Sequence, residues 1–310
     1  MSTALVFPGQ GSQAIGMGKD LADQFPVAKA VFDEVNDALS QKLTDIMWAG
    51  PESDLTMTAN TQPALMAHSI AAFRVLQSEA GLSLDAVAYT AGHSLGEYSA
   101  LCAAGAIDLQ TTAKLLRTRG NAMQAAVPAG EGGMAAILGL SLEQIEDVLT
   151  NSQVDCQVAN DNSPGQVVIS GTAAGIEQAA QSLKEAGAKR VVPLPVSAPF
   201  HSRLMQPAAD KMAEALSQAE VKAPQVPVVA NVTAQTVKTP DDIKRLLVEQ
   251  VTGRVRWVDS VSFMQNNGVT DFLEIGTGKV LSGLMKKIDR EVTITAINGS
   301  DDIAGYKSHQ

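Results

Sequence analysis

Residues 92–96 read Gly-His-Ser-Leu-Gly, which fits the Gly-x-Ser-x-Gly pattern of a nucleophilic serine, here Ser94. The run 86–90 before the pattern has the composition of a strand, and the run 97–104 after it has the composition of a helix. A sharp turn from strand to helix presents the serine side chain, and a Cβ atom on either glycine would crowd so tight a turn. The pattern therefore predicts that Ser94 carries an acyl group as a covalent intermediate.

A serine hydroxyl is a weak nucleophile at neutral pH and needs an adjacent base, which is most often a histidine. The chain has four histidines. His93 adjoins the serine across the tight turn, His68 lies in an apolar helical stretch, and His309 is next to the chain end, where chains are commonly loose. The remaining one, His201, follows a predicted strand in a loop flanked by proline. Catalytic residues of open α/β folds lie in such loops, so we expect His201 to be the base.

Two further roles are left open by the residues alone. A third group should orient the histidine, and Asp210 and Asp259 are both conceivable for it. A developing oxyanion also needs hydrogen-bond donors. The backbone N–H of Leu95 is the expected donor of such a turn, and the side chain of Gln10, in the glycine-containing loop 8–13, is a candidate for the second.

The elements around these residues alternate between strands and helices, which favours an α/β fold with a mostly parallel sheet covered on both faces. Helical periodicity extends over 26–39 and 62–77, and Asp108 is placed to begin a further helix. That helix carries Arg117 and Arg119, whose directions differ by about 200°, so the two cannot share a face. We expect one of them to point inward.

A change in composition at 128–133, rich in glycine, marks a hinge. The stretch that follows predicts the order β-α-β-β-α-β, which is typical of a ferredoxin-like unit. We therefore expect residues 128–197 to form a small inserted subdomain. Residues 1–127 and 198–310 would then form one larger subdomain around it.

Composition excludes several classes of function. The formal net charge of −10 disfavours non-specific binding to nucleic acid or to an anionic membrane surface. The longest uncharged stretch, 55–73, is too polar to be a good membrane span. Cys102 and Cys156 form no close-spaced pair, which fits a reducing cytoplasm. We find no metal-ligand set or nucleotide fingerprint, so we expect neither a metal nor a bound cofactor.

Together, several motifs resemble a known family over nearly the whole chain. They are Pro-Gly-Gln-Gly-Ser-Gln at 8–13, Gly-His-Ser-Leu-Gly-Glu-Tyr at 92–98, Arg-Gly at 119–120, Pro-Phe-His-Ser at 199–202 and Gly-Thr-Gly at 276–278. The chain is similar to the malonyl-CoA:acyl-carrier-protein transacylases of bacterial fatty acid synthesis. The acyltransferase domains of polyketide synthases are related to these enzymes. The resemblance implies an α/β-hydrolase-like core that carries the ferredoxin-like insertion.

The resemblance also implies roles for individual residues. Ser94 would take the acyl group from coenzyme A, and His201 would act as general base and then as general acid. The backbone N–H groups of Gln10 and Leu95 would bind the oxyanion, which replaces the expected role of the Gln10 side chain. The backbone carbonyl of Gln250 would orient the histidine, so that no triad acid is needed.

The substrate and partner implied by the resemblance are malonyl-CoA and acyl carrier protein. Arg119 would bind the free carboxylate of the malonyl group, and coenzyme A would enter only as part of the substrate. Acyl carrier protein is acidic, so its docking needs a local basic patch on this acidic chain. The candidates are Lys189 with Arg190, and Lys286 and Lys287 with Arg290.

Other functions of the same residues stay open at this point. A serine esterase or thioesterase would use the same serine and histidine with water as the acceptor. Within the family, the chain could be a trans-acting polyketide acyltransferase or serve malonate decarboxylation. A non-catalytic binding module is disfavoured by the presence of both Ser94 and His201.

Overall fold

The computed structural model describes residues 2–196 and 198–308. Its strands are β1 (Thr3–Phe7), β2 (Val87–Gly92), β3 (Gly132–Leu138), β4 (Cys156–Ser163), β5 (Gln166–Thr172), β6 (Arg190–Pro193), β7 (Val228–Val229), β8 (Thr236–Val237), β9 (Val255–Arg256), β10 (Asp271–Ile275) and β11 (Thr293–Ile297). Its helices are α1 (Lys19–Gln24), α2 (Pro26–Leu39), α3 (Leu43–Ala49), α4 (Glu52–Thr56), α5 (Thr58–Ala80), α6 (Gly96–Ala103), α7 (Leu109–Ala125), α8 (Leu142–Ser152), α9 (Ala173–Glu185), α10 (Gln206–Gln218), α11 (Pro240–Thr252), α12 (Trp257–Asn266), α13 (Val280–Ile288) and α14 (Ser300–Ser308).

Six strands form the larger of two sheets, in the order β11-β10-β1-β2-β7-β8. All neighbours are parallel except β7 and β8. Residues 4–7 of β1 are fully buried, as expected for a central strand with helices on both faces. The predicted mostly parallel sheet is thus confirmed. The loops after β1, β2 and β10 meet at the carboxyl edge of the sheet, where a Cβ atom on Gly9 would lie 2.6 Å from the His93 carbonyl oxygen.

The smaller sheet has the order β6-β3-β5-β4-β9. Strands β3 to β6 pair antiparallel with one another, and α8 and α9 supply apolar side chains to a separate core on this sheet. The order of elements along 132–193 is the one that the sequence predicts, and the Ser141–Gln144 capping box that begins α8 is present. Strand β9 was not predicted. It lies outside 128–197 and joins the sheet by parallel pairing with β4.

Helix α5 is buried on nearly all sides, which is typical of a central helix. It begins at Thr58, four residues earlier than predicted, so Pro63 lies inside the helix and not in its first turn. The early start is anchored by the hydroxyl of Thr61, which donates to the carbonyls of Leu55 and Met57. Within the described residues, no helix has both the length and the apolar character needed to cross a bilayer.

The sequence also predicts a strand over 226–232, and the structure reduces it to the two residues of β7. The chain turns immediately afterwards, because the N–H of Ala230 donates to the carbonyl of Gln235 and Ala234 adopts a φ of 52°. This turn places Asn231 beside the loop that follows β2, a contact that is important for the site.

Candidate active site

Ser94 lies at the turn between β2 and α6, with a φ of 54° in the left-handed region. A Cβ atom on Gly92 would lie 1.9 Å from the Gly96 carbonyl oxygen, and one on Gly96 would lie 2.3 Å from that of Phe7. Neither position has room for a side chain. The two glycines of the motif are therefore required by the turn that presents Ser94.

His201 is the histidine that the structure brings to Ser94, with 2.8 Å between its Nε2 and the Ser94 Oγ. Its Nδ1 lies 2.8 Å from the carbonyl oxygen of Gln250 and 3.1 Å from that of Gly253. Because a carbonyl can only accept, Nδ1 must carry the proton, and the lone pair of Nε2 then faces the serine hydroxyl. The ring is held in the tautomer that a general base needs.

No carboxylate contacts His201 within the part of the chain that the structure describes. The carboxyl group of Asp210 accepts from Gln206, and that of Asp259 accepts from Arg256, so neither candidate acid is in contact with the histidine. Burial, with Arg119 as a second cause, lowers the pKa of His201 to about 3. The imidazole is therefore neutral at physiological pH and able to accept a proton.

The other three histidines are not positioned as bases. His93 contacts Asn162 through Nε2 and packs beside the ring of Trp257. His68 is buried and contacts Thr277 and the carbonyl of Asn298, as expected for a histidine of the core. His309 lies outside the described residues.

Gln10 and Leu95 line the same cavity as Ser94. In the described part of the chain neither of their backbone N–H groups donates to a protein acceptor, so both are available to a bound oxygen atom. The side chain of Gln10 is engaged elsewhere, since its Nε2 donates to the hydroxyl of Thr58 over 3.3 Å. This geometry supports backbone donation and not the side-chain role expected from the residues alone.

Arg119 is the inward-pointing arginine of α7 and is only 1% exposed. Its Nη1 donates to Gln62 (2.7 Å), and its Nη2 donates to the Gln250 side chain (2.8 Å) and to the Ser94 hydroxyl (3.1 Å). Its Nε has no partner, and no carboxylate forms an ion pair with it, among the residues described. A buried cation held only by neutral groups is suited to bind an anion.

Close packing of α7 against α5 brings Arg119 to this position. A Cβ atom on Gly120 would lie 2.6 Å from both the Cα of Ala59 and the carbonyl oxygen of Thr58, so only glycine permits the contact. Arg117 points away and donates instead to Asn60 and Gln41. The two arginines thus separate as their spacing predicts.

Glu97, Asn231 and the side chain of Gln250 form a buried network behind the site, of which only Gln250 was named from the sequence, and only for its backbone carbonyl. Glu97 accepts from the backbone N–H of Asn231 (3.0 Å) and from the Gln250 side chain (2.8 Å). Burial raises the pKa of Glu97 to about 7. The position of Glu97 three residues after Ser94 was a usable signal, whereas nothing in the sequence marks Asn231, which is 137 residues away from Ser94.

The site opens into a cavity of about 500 Å³ between the two sheets. Loops of the larger sheet supply the polar groups already described. The stretch 134–196 supplies much of the remaining wall, which includes Met134, Asn160, Leu194, Pro195 and Val196. A reactive serine and a histidine at one end of a cavity, beside an unpaired buried cation, can form and break an ester of an anionic acyl group.

Comparisons with known proteins agree with this geometry. The family model described as the acyl transferase domain matches residues 4–294. A malonyl CoA-acyl carrier protein transacylase of Bacillus subtilis is 49% identical over 303 residues, which is 97% of this chain and 94% of that protein. An acyl-carrier-protein-S-malonyltransferase structure from Bartonella henselae has a TM-score of 0.96 at 52% identity and covers 98% of each chain.

A further solved structure is described as a type II polyketide acyl-carrier protein in complex with its malonyl-transacylase. It has a TM-score of 0.96 at 43% identity and covers 100% of both chains. The family match over residues 4–294 spans the positions of Ser94, Arg119, His201 and Gln250. This chain therefore belongs to the acyl transferase domain family, among the malonyl CoA-acyl carrier protein transacylases.

Proposed function

We propose that this protein transfers the malonyl group from malonyl-CoA to the thiol of holo acyl carrier protein, through a malonyl ester on Ser94. The observation that carries the proposal is the buried, unpaired guanidinium of Arg119, which lies 3.1 Å from the Ser94 hydroxyl. It supplies a cation where the free carboxylate of a short acyl group on Ser94 would lie.

In the first half-reaction, Ser94 Oγ attacks the thioester carbonyl carbon while its proton passes to Nε2 of His201. The carbonyl oxygen becomes an oxyanion, to which the N–H groups of Gln10 and Leu95 donate. When the C–S bond breaks, the departing sulfur of coenzyme A takes the proton back from His201. The carbonyl oxygens of Gln250 and Gly253 hold the imidazolium during this step.

The second half-reaction runs in the opposite direction with a different thiol. His201 accepts the proton of the carrier-protein thiol, whose sulfur attacks the ester carbon. The C–O bond to Ser94 breaks, and the serine oxygen takes its proton from His201. The serine is restored and the malonyl group leaves as a new thioester, so the kinetics are ping-pong.

Arg119 gives the selectivity for a carboxylated acyl group. A guanidinium can hold a carboxylate by two parallel charge-assisted hydrogen bonds. A bound acetyl group would leave the cation buried without an anion, and breaking such a buried pair costs about 3–5 kcal/mol. The site should therefore take malonyl-CoA and reject acetyl-CoA.

The comparisons support the proposed substrate and partner. The relative from Bacillus subtilis is named as a malonyl CoA-acyl carrier protein transacylase, and one neighbour was solved with a carrier protein bound. We propose the same partner here and a role in fatty acid synthesis. Because that neighbour is bound to a polyketide carrier protein, delivery to a polyketide pathway is the second candidate. Free Cys102 and Cys156 support a cytoplasmic location.

We further propose that the larger sheet belongs to an α/β-hydrolase-like core, formed by residues 1–127 and 198–310. The parallel sheet and the serine turn after β2 support this assignment. Residues 128–197 would be the ferredoxin-like subdomain. The strands of this stretch form an antiparallel sheet in the order β6-β3-β5-β4. When they are numbered 1 to 4 in chain order, the sheet order is 4-1-3-2, which supports this assignment.

Intact-mass measurement tests the function directly. Malonyl-CoA should add one malonyl group to the wild type and none to Ser94→Ala, and acetyl-CoA should add little to either. Holo carrier protein, added next, should gain the malonyl mass that the enzyme loses. A Ser94→Ala protein that still acquires malonate would refute the assignment. Release of free malonate as fast as transfer would instead indicate an esterase or thioesterase.

A further inference from the structure

Glu97 is a buried carboxyl group that the proposed mechanism does not use. It lies in the first turn of α6, three residues after Ser94, and is 2% exposed. A single oxygen, Oε2, accepts both of its hydrogen bonds, from the backbone N–H of Asn231 and from Nε2 of Gln250. Both partners in turn contact the reacting groups. Glu97 is therefore linked to the site on two sides, through Gln250 to Arg119 and through Asn231 to Ser94.

On the first side, Glu97 and the backbone carbonyl of Ser94 together orient the Gln250 amide. The amide has one oxygen and one NH2 group, and the NH2 group must face an acceptor. Because it faces Glu97 (2.8 Å) and the backbone carbonyl of Ser94 (2.9 Å), the amide oxygen faces Arg119 and accepts from its Nη2 over 2.8 Å. The reversed amide would present a donor to the guanidinium, which can only donate. Glu97 thereby helps to keep Arg119 in place beside Ser94.

On the second side, Glu97 fixes the backbone of Asn231. The side chain of Asn231 accepts from the N–H of Ser94 (2.8 Å) and donates to the carbonyl of Gly92 (2.7 Å), so it bridges the two sides of the serine turn. Ser94 has a φ of 54°, an unfavourable conformation for a residue with a side chain. The Asn231 bridge helps to hold Ser94 in this conformation.

We propose that Glu97 is a positioning residue, which sets Arg119 and Ser94 relative to one another and so maintains the preference for a carboxylated acyl group. The inference rests on the proposed malonyl transfer and names a residue that determines its specificity. The site requires Glu97 as a hydrogen-bond acceptor on a side chain of this length (its reach), and does not require its negative charge.

The placement of both bonds on Oε2 supports this distinction. With its pKa raised to about 7 by burial, the carboxyl group can carry a proton on Oε1 without losing either bond. The other groups that act electrostatically on its surroundings are Arg119 on α7 and the adjacent Tyr98. An amide oxygen at the same reach should therefore serve as well as the carboxyl oxygen.

Two matched substitutions separate reach from charge. Glu97→Gln keeps the reach and removes the charge, and its oxygen stays toward Asn231 because that backbone N–H needs an acceptor. Glu97→Asp keeps the charge but withdraws the carboxyl group by one carbon–carbon bond, about 1.5 Å. A charge effect and a positioning effect therefore predict opposite behaviour for the pair.

The measurement is the ratio of the single-turnover acylation rate constants for malonyl-CoA and acetyl-CoA, followed by intact mass. A ratio cancels any loss of folded enzyme, which a merely structural role would produce. We expect Glu97→Asp to lower the ratio by about tenfold or more, since small misplacements at a reacting centre are costly. We expect Glu97→Gln to keep the ratio within about threefold of the wild type.

An unchanged ratio in Glu97→Asp overturns the inference, and so does a loss in Glu97→Gln as large as that in Glu97→Asp. If Glu97→Asp does not fold, Gln250→Met tests the link through which Glu97 would act on Arg119, because it removes the amide at similar length, and an unchanged ratio in that variant overturns the inference. A wild type that takes no malonyl group refutes the proposed function, and the inference with it. If the wild type prefers malonyl-CoA and Glu97→Asp shows the same preference, the inference is refuted and the proposed function stands.

Discussion

The Nη2 atom of Arg119 lies 3.1 Å from the Oγ atom of Ser94, so the buried cation and the nucleophile share a hydrogen bond. The carbonyl carbon of an acyl group on Ser94 would be bonded to this Oγ atom and would therefore lie close to the guanidinium. Only a short chain can place a free carboxylate against Arg119 from that point. This relationship favours malonyl over longer acyl groups and ties the selectivity of the site to one contact.

Removal of this cation should abolish the selectivity. We expect Arg119→Ala to lower kcat/KM for acylation by malonyl-CoA by about 100-fold or more, because a buried ion pair is lost, while acylation by acetyl-CoA falls much less. Arg119→Lys should recover only part of the loss, since Lys lacks the planar fork. Single-turnover acylation with both thioesters measures this.

Arg117→Ala is the matched control on the same helix. Arg117 contacts Asn60 and Gln41 and does not border the cavity, so its removal should leave the ratio of malonyl to acetyl acylation unchanged. A similar drop in both variants would show that Arg119 acts through the stability of α7 and not through the substrate carboxylate.

The pH dependence of acylation should reflect the environment of His201. Its pKa is lowered to about 3 by burial and by Arg119, so the base stays neutral from about pH 8 to about pH 5, and kcat/KM should not fall over that range on its account. In Arg119→Ala the cationic neighbour is lost, the pKa of His201 rises, and the acid limb should move to higher pH. Acetyl-CoA is the substrate for both proteins, since it has no carboxylate for Arg119 to bind.

A wild-type profile that falls with a midpoint near the ordinary histidine pKa of about 6.5 would contradict this expectation. It would mean that His201 is solvated like a surface histidine. An acid limb that does not shift in Arg119→Ala would show that burial alone lowers the pKa.

The contact between α7 and α5 predicts a difference between two helical glycines. Gly120→Ala should destabilise the protein by about 1–3 kcal/mol, because its Cβ atom would meet backbone atoms of Thr58 and Ala59. Gly283→Ala in α13 has open space around the new Cβ atom and should stabilise by about 0.5–1 kcal/mol. Urea unfolding measures both, and a Gly120→Ala protein as stable as the wild type would refute the close contact.

Docking of the acidic carrier protein should depend on one of the two basic clusters. Helix α13 carries Lys286 and Lys287 in its last turn, and its other end begins beside the loop that borders the cavity, where a Cβ atom on Gly278 would lie 3.5 Å from Ser12. We expect charge reversal at 286, 287 and 290 to raise the KM for carrier protein by about tenfold at low salt, with a smaller effect at high salt.

The paired control is charge reversal at Lys189 and Arg190, at the start of β6. Acylation by malonyl-CoA should be unaffected in both variants, since neither cluster borders the cavity. A carrier-protein KM that moves only with Lys189 and Arg190 would transfer the docking surface to the smaller sheet. A KM that moves with neither would refute docking through basic clusters.

Local sequence determined the parts of the site that depend on local chemistry. The glycines around Ser94 are visible because only a residue without a side chain fits the turn, and His201 is visible because few histidines compete for its role. The order of elements along 132–193 and the longer strands of the larger sheet follow from periodicity, since side chains on a strand and on a helix repeat at different intervals, whereas the two-residue strands β8 and β9 were not predicted. Helix boundaries were less certain, and α5 begins earlier than predicted because Thr61 bonds back to residues before the helix.

Only the tertiary structure decided what surrounds Ser94 and His201. The groups that orient the histidine are the backbone carbonyls of Gln250 and Gly253, and every residue has a carbonyl, so nothing in the residue types could identify them or exclude an acid. Glu97 likewise meets Asn231 and Gln250 across more than 130 residues of chain. A short motif identifies the nucleophile of this protein. The geometry of the site depends on long-range packing, because its buried hydrogen-bond partners are brought together by the fold and are not neighbours in sequence.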